Sequence, residues 1–393
     1  GHNFNMPWFG LTDSCRSCMI IVETPFDSGI RFTNKPGLWT AHMVWVPSMG
    51  KFGEARRIRC VFFENGGYPA MTERFRRWAE DAGYVRTMKE KLKDNPNVEK
   101  TVGAPAVYVQ DYKREYSGHI HIAEDIKAAG IEKCVFYGGD SWWNDMTPEE
   151  IKRVNDMGFI SSRYIIYSDF VPVEDHSKVN INPSWPKYAV IEDAVMDING
   201  ERHRNWPVKA KDGTTYKTYS LCDLQIPKYI LDDDEDLKTK GYTGRFIDAL
   251  GALELTECYD PEHPTTREQD SAARLEILRL NYSRNLITGT EGGHVFMLPY
   301  SHMFEGLRSV MPLTMHTYFQ GEHPHTMFEK GKLPANEKDM LLKSQRYIVP
   351  LWQLTFGDCV NSYTRWNQQN NRFMDEEWLS TQELHCILSG QPE

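Results

Sequence analysis

Apolar positions change their spacing twice along the chain. Up to about residue 65 they come in short β-branched or aromatic runs: Met19-Ile20-Ile21-Val22, Ala41-His42-Met43-Val44-Trp45-Val46 and Arg59-Cys60-Val61-Phe62-Phe63. Turn-forming stretches such as Thr24-Pro25-Phe26-Asp27-Ser28-Gly29 separate them, which predicts short strands. Between Met71 and Leu92 apolar residues recur three or four apart among charges, the spacing of a helix, and Asn95-Pro96-Asn97 ends it. From about residue 103 continuous apolar runs alternate with helical spacing. Strands are predicted at 106–110, 133–140, 162–167, 244–248 and 285–291, with later candidates at 312–317 and 349–354. Helices are predicted at 119–129, from Thr147, at 266–283 and at 375–388. Thr147-Pro148-Glu149-Glu150 is a capping box with Pro at the first helical position.

Repeated strand–helix units with unbroken apolar strands imply a parallel sheet covered by helices. Neither G-x-G-x-x-G nor G-x-x-x-x-G-K-[ST] occurs, so nucleotide-binding doubly wound folds lose their main support. The expected class is α/β: a (β/α)8 TIM-type barrel preceded by the C-terminal part of a β-sandwich. The expected organisation is a truncated sandwich portion over 1–70, a helical linker over 71–100 and the barrel over 101–393. A polar, Pro- and Gly-punctuated insertion occupies about 170–240.

Composition narrows the partners. Of 393 residues, 40% are hydrophobic and 25% charged, a globular balance that excludes disordered and fibrous classes. Lys and Arg number 45 against 55 Asp and Glu, a net charge of −10 with no basic block, so a nucleic-acid partner is not expected. No apolar run reaches the ~20 residues of a membrane helix. The Cys15-Arg16-Ser17-Cys18 and His119-Ile120-His121 pairs lack further ligands at metal spacing, so neither a metal nor another cofactor is expected. Cys258 lacks a His paired with it in sequence. Asn281-Tyr282-Ser283 matches a glycosylation sequon but falls within a predicted helix.

In a barrel, working residues lie where strands end and βα loops begin. Those positions hold Gln110/Asp111, Asp140, Tyr167/Asp169, Asp248, Glu291, His316 and the segment from Asp358 to Trp366, with Trp142, Trp143, Tyr259 and Trp352 nearby. Carboxylates beside flat aromatic faces suit carbohydrate chemistry, in which one acid meets the oxocarbenium-like carbon and another protonates the leaving oxygen. Asp248 and Glu291 are the best pair, each directly following a predicted strand. Gly289, Gly292 and Gly293 would let a substrate approach the backbone closely. Glu257, Tyr259 and Arg267, in the dense polar stretch after Asp248, are candidate substrate contacts.

Three segments carry a family resemblance: Arg245-Phe246-Ile247-Asp248, Glu257-Cys258-Tyr259-Asp260-Pro261-Glu262-His263-Pro264-Thr265-Thr266-Arg267, and Gly289-Thr290-Glu291-Gly292-Gly293. Together they resemble bacterial glycoside hydrolases related to families 101 and 129, the retaining α-N-acetylgalactosaminidases. The segments 6–13 and 350–360 are similar to the sandwich tail and a late barrel strand of such proteins. The resemblance implies hydrolysis of an α-glycosidic bond in a glycan by double displacement, with Asp248 as nucleophile and Glu291 as acid/base. It implies carboxyl groups ~5–5.5 Å apart and a raised pKa on Glu291 beside an ionised Asp248. Asp140, Tyr167, Glu257, Tyr259, Arg267, Trp352, Asp358 and Trp366 would bind the sugar, in an extracellular or periplasmic setting. The alternatives are a non-catalytic carbohydrate-binding barrel and a glycosidase of different linkage or stereochemistry.

Overall fold

The computed structural model describes residues 5–13, 16–35, 38–53, 55–109, 120–137, 146–230, 240–307, 349–363 and 380. The early apolar runs form strands. β1 (Trp8–Thr12), β2 (Ser17–Val22) and β5 (Ile58–Phe63) make a three-stranded antiparallel sheet, and β3 (Ser28–Lys35) pairs with β4 (Leu38–Trp45) as a separate hairpin. The predicted helical linker is two helices, α1 (Gly67–Asp81) and α2 (Met88–Asp94), followed by a 3-10 turn over Pro96–Thr101. Met71, Phe75, Trp78 and Ala79 on α1 are buried at the spacing the sequence shows, against Trp8 and Met19 of the first sheet.

Seven parallel strands follow: β6 (Ala106–Tyr108), β7 (Val135–Tyr137), β8 (Ile160–Ile166), β12 (Gly244–Gly251), β13 (Ile287–Gly292), β14 (Met303–Glu305) and β15 (Asn361–Tyr363), side by side in that order. The sheet is nearly closed. Tyr363 Oη on β15 donates to the Ala104 carbonyl, 2.9 Å away just before β6, and Asn361 Nδ2 donates to the Thr101 carbonyl at 2.9 Å. This arrangement accords with a TIM-type barrel. Its outer face carries α3 (Ile120–Ala128), α4 (Pro148–Asp156) and α5 (Arg267–Tyr282). Thr147 caps α4 and Thr266 caps α5, each closing a capping box with a residue at the third helical position; such a cap contributes about 1 kcal/mol.

Alternation along the strands sorts the side chains. Inward-facing Tyr108, Val135, Tyr137, Ile160, Phe246, Ile287 and Met303 make the barrel interior, while Ile165, Ile247 and Phe304 face the outer core together with α1 and the first sheet. At the end where the strands begin, the buried Lys91 donates its Nζ to the carbonyls of Ser301 and Cys359. Arg245 points outward and is wholly buried, bonded to Tyr167 Oη at 3.2 Å and to Asn281 Oδ1 at 2.8 Å. Asn281 is itself fully buried, which removes its sequon from the surface.

One expectation needs revision. The run 349–354 is not a strand: Leu351–Phe356 is a helix, α6, opening after Pro350 and burying Trp352, Thr355 and Phe356 on one side. Short apolar runs serve either period, and proline at the entry favours the helix. The stretch 170–240 also has structure of its own, an antiparallel sheet of β9 (Asp169–Phe170), β10 (Arg204–Lys209) and β11 (Thr215–Ser220). The expected strand at 312–317, the helix at 375–388 apart from Ser380, and Gln110, Asp111, Asp140, His316 and Trp366 lie outside the described residues. Among the described residues no helix is long and apolar enough to cross a membrane.

Candidate active site

Parallel pairing sets Ile247 of β12 beside Thr290 of β13, so Asp248 and Glu291 each stand one residue further, at the strand ends. Glu305 is paired in register with Glu291 across β13 and β14. A fourth acid, Asp169, comes from the inserted sheet and is close enough for its charge to act on Asp248. Burial pushes Asp169 up to about 6, against hydrogen bonds from Thr218 and Ser168 that favour its charge. Beneath this acidic rim the barrel is packed with aromatic rings. Tyr108 and Tyr137 stack at 4.1 Å, and Tyr164 stacks on Phe246 at 5.8 Å.

The Asp248 carboxyl is pushed well above the ordinary carboxylate range. Withdrawal from water is the first cause and the charge of Glu291 the second; a hydrogen bond from Tyr164 works in the opposite direction. The resemblance implies an ionised Asp248, and the burial of Asp248 works against that charge. Two acids that feel each other titrate as a pair, so the proton belongs to the couple and its position depends on what lies between them.

The backbone around the pair is tightly drawn. Ala249, directly after Asp248, has φ +61°, a left-handed conformation costly for a residue with a Cβ. Pairing of β12 with β13 shifts register between Ile247 and Gly251, the irregularity that turns the Asp248 strand end. Gly292 has φ +65°, and a Cβ there would meet the Gly251 carbonyl oxygen at 2.7 Å. A Cβ on Gly293 would strike the Phe304 ring at 2.6 Å, and one on Gly289 would meet Met303 at 3.0 Å. The space that a Cβ would take at these glycines is filled by neighbouring protein atoms. Arg274 on α5 supports the same strand end from behind. It donates to the carbonyls of Leu250, Leu253 and Glu254 at 3.0, 2.7 and 2.8 Å while paired with Asp223 and Asp270.

Residues 125–388 match the family described as glycosyl hydrolases related to GH101 family, GH129. The chain belongs to that family. Its fold is similar to α-N-acetylgalactosaminidase NagBb from Bifidobacterium bifidum. With the ligand-free form the TM-score is 0.69 at 17% identity, covering 98% of this chain and 67% of that one. With its Gal-NHAc-DNJ complex the TM-score is 0.68 at 18% identity, covering 91% of this chain. A cycloalternan-degrading enzyme from Trueperella pyogenes is more distant, with a TM-score of 0.50 at 10% identity, covering 98% of this chain and 62% of that one. The chain spans 57% of the length of the NagBb complex. No curated protein matches it in sequence.

In this GH129-related chain, several residues expected to bind sugar have other partners. Tyr167 faces outward, fully buried in the outer core against Arg245, because its position on the strand has the wrong parity for the barrel interior. Trp352 is packed behind the sheet against Phe304 and Phe356, at 5.8 and 5.3 Å. Asp358 is held by Arg76 of α1, Nη1 to Oδ1 being 2.6 Å. Glu257 and Arg267 bond each other at 2.7 Å, and both reach the N-terminal hairpin region. Arg267 contacts Asp27 at 3.2 Å and the Pro47 carbonyl at 3.2 Å, and Glu257 accepts the Met49 N–H. Tyr259 is half-buried, its backbone N–H donating to Met196 O at 2.9 Å. Glu305 and Tyr164 were not singled out from sequence. Met303-Phe304-Glu305-Gly306 repeats the strand–Glu–Gly order of Glu291, but two apolar residues are too few to announce a strand.

Proposed function

We propose that this chain is a retaining glycosidase acting on an α-glycosidic bond, with Asp248 as nucleophile and Glu291 as acid/base. The observation that carries the reading is the pair itself: two carboxyl groups at matching ends of adjacent parallel strands, near enough for the charge of one to raise the other. Asp248 would attack the anomeric carbon while Glu291 gives its proton to the departing oxygen. A glycosyl ester on Asp248 results. Glu291 then takes a proton from water, and that water releases the sugar. The hydrogen bond that Tyr164 donates to Asp248 favours the charged form that the attack needs.

Membership in the family and the similarity to NagBb make a terminal α-linked N-acetylgalactosamine the first substrate to test. An extracellular or periplasmic setting, where such glycans are met, belongs to the same proposal, as does reading residues 1–70 as part of a β-sandwich. The test is a panel of aryl α- and β-glycosides, with NMR of the first-formed anomer. Hydrolysis of the α-N-acetylgalactosaminide with α-anomer released first supports the reading. Release of the β-anomer first, or undiminished turnover by Asp248→Asn, overturns it.

A further inference from the structure

The outer wall of the barrel encloses a positive charge that the surrounding protein binds on one side only. Arg245, three residues before Asp248 on β12, is wholly buried. Its guanidinium is engaged through Nη1 alone, which donates to Tyr167 Oη at 3.2 Å and to Asn281 Oδ1 at 2.8 Å. Nε and Nη2 have no hydrogen-bond partner, and among the described residues no carboxylate forms an ion pair with this side chain. A guanidinium keeps its proton in a protein, so burial cannot neutralise it as it can a lysine or a carboxyl.

The neighbours supply no negative charge. Arg163 of β8 and Thr288 of β13 stand in register with Arg245 on either side of it. Arg163 is buried too and brings a second positive charge to the same face of the sheet. The Thr288 hydroxyl donates to Leu286 O at 3.2 Å. On α5, Asn281 turns its own amide donor to Ile277 O at 2.7 Å. The core around Tyr167 on this side of the sheet is apolar and includes Ile247, Ile277 and Leu278. The two unpartnered nitrogens share one edge of the planar guanidinium, so their N–H bonds run side by side and can meet a single acceptor.

We propose that this edge of Arg245 binds one small monovalent anion, chloride in ordinary buffers. A water molecule would accept both hydrogen bonds and leave the charge unanswered, whereas an anion satisfies the donors and the charge together. A phosphate or sulfate would carry further oxygens into apolar surroundings that offer them no donors. The ion ties β12 to α5 and to the chain after β8 on the outer wall, takes no part in glycosidic chemistry, and is independent of the roles proposed for Asp248 and Glu291.

The test uses the whole chain, with chloride exchanged for gluconate at constant ionic strength. The melting temperature of the wild type should rise with the logarithm of chloride concentration, by on the order of 2 °C per tenfold, because only the folded state holds the ion. Bromide should replace chloride, and crystals soaked in bromide should give an anomalous peak beside Arg245 Nε and Nη2. In Arg245→Met both the peak and the chloride dependence should be lost. The bromide peak in the wild type decides the matter even where the variant does not fold. The proposal fails if wild-type stability ignores the exchange of chloride for gluconate. It fails equally if the soaked crystals show a water without anomalous signal at that edge, or if folded Arg245→Met keeps the full chloride dependence.

Discussion

Tyr164 donates its hydroxyl to the carboxylate of Asp248 across neighbouring barrel strands. That bond favours the charged acid against burial and the nearby Glu291, both of which favour the neutral one. Tyr164→Phe should therefore raise the Asp248 pKa further. In a pH profile of kcat/KM the acidic limb should move to higher pH, with little change in melting temperature. An unmoved limb would show that the bond has no part in setting the ionisation of the nucleophile.

Glu291→Gln keeps the shape of the acid but removes its proton. Turnover of substrates with poor leaving groups should fall by on the order of 10²–10⁴-fold. Aryl glycosides with good leaving groups should lose much less in the first step, and added azide should accelerate release of the trapped sugar. Equal losses across a leaving-group series, measured by steady-state kinetics, would remove Glu291 from the acid role.

Asp248 also carries a stability cost. Its pKa is raised on folding, so the folded state holds the proton more tightly than the unfolded chain. The resulting penalty is absent below the unfolded value of about 4 and grows as pH rises through the folded one. Asp248→Asn should be inactive yet melt higher than wild type at neutral pH, with the difference closing near pH 4. Thermal scans across that range check the sign, and an Asn variant less stable at neutral pH contradicts it.

Arg274 is buried between Asp223 and Asp270 while holding three carbonyls of the chain after Asp248. Replacing it with Met leaves two acids without their cation, a loss of about 3–5 kcal/mol for a buried pair broken on one side. Denaturant unfolding should report that loss.

Arg267 binds Glu257, Asp27 and the Pro47 carbonyl, joining the N-terminal β region to the barrel. Arg267→Ala should cost about 1.5–3 kcal/mol, the range for hydrogen bonds to charged groups. It should also make the segment around Met49 more readily cleaved by protease. If Arg267 instead served substrate binding, KM would rise while melting temperature and cleavage stayed as in wild type.

Local signals were read correctly where they are local in cause. The capping box at Thr147, the helical spacing of α1 and the apolar run of β12 all depend on residues within a turn or two. Asp248 and Glu291 could be found because each closes a strand in the sequence itself. The helix at Leu351–Phe356 was misread because an apolar run of that length satisfies either period until its neighbours choose. Glu305 escaped notice because β14 is three residues long.

Sequence by itself determined the alternating strand–helix order, the two acids at successive strand ends and the family to which those segments belong, since all of these are written in short-range pattern. Tertiary structure decided which side of the sheet each residue faces. One step along a strand separates Asp248, on the rim, from outward-facing Ile247, and the same parity puts Tyr167 in the outer core. It also decided that protein atoms fill the space beside the glycines near Glu291, and that Cys222, Cys258 and His263 share one place. Those outcomes depend on strands and loops meeting across long stretches of chain, where no local spacing constrains the partner.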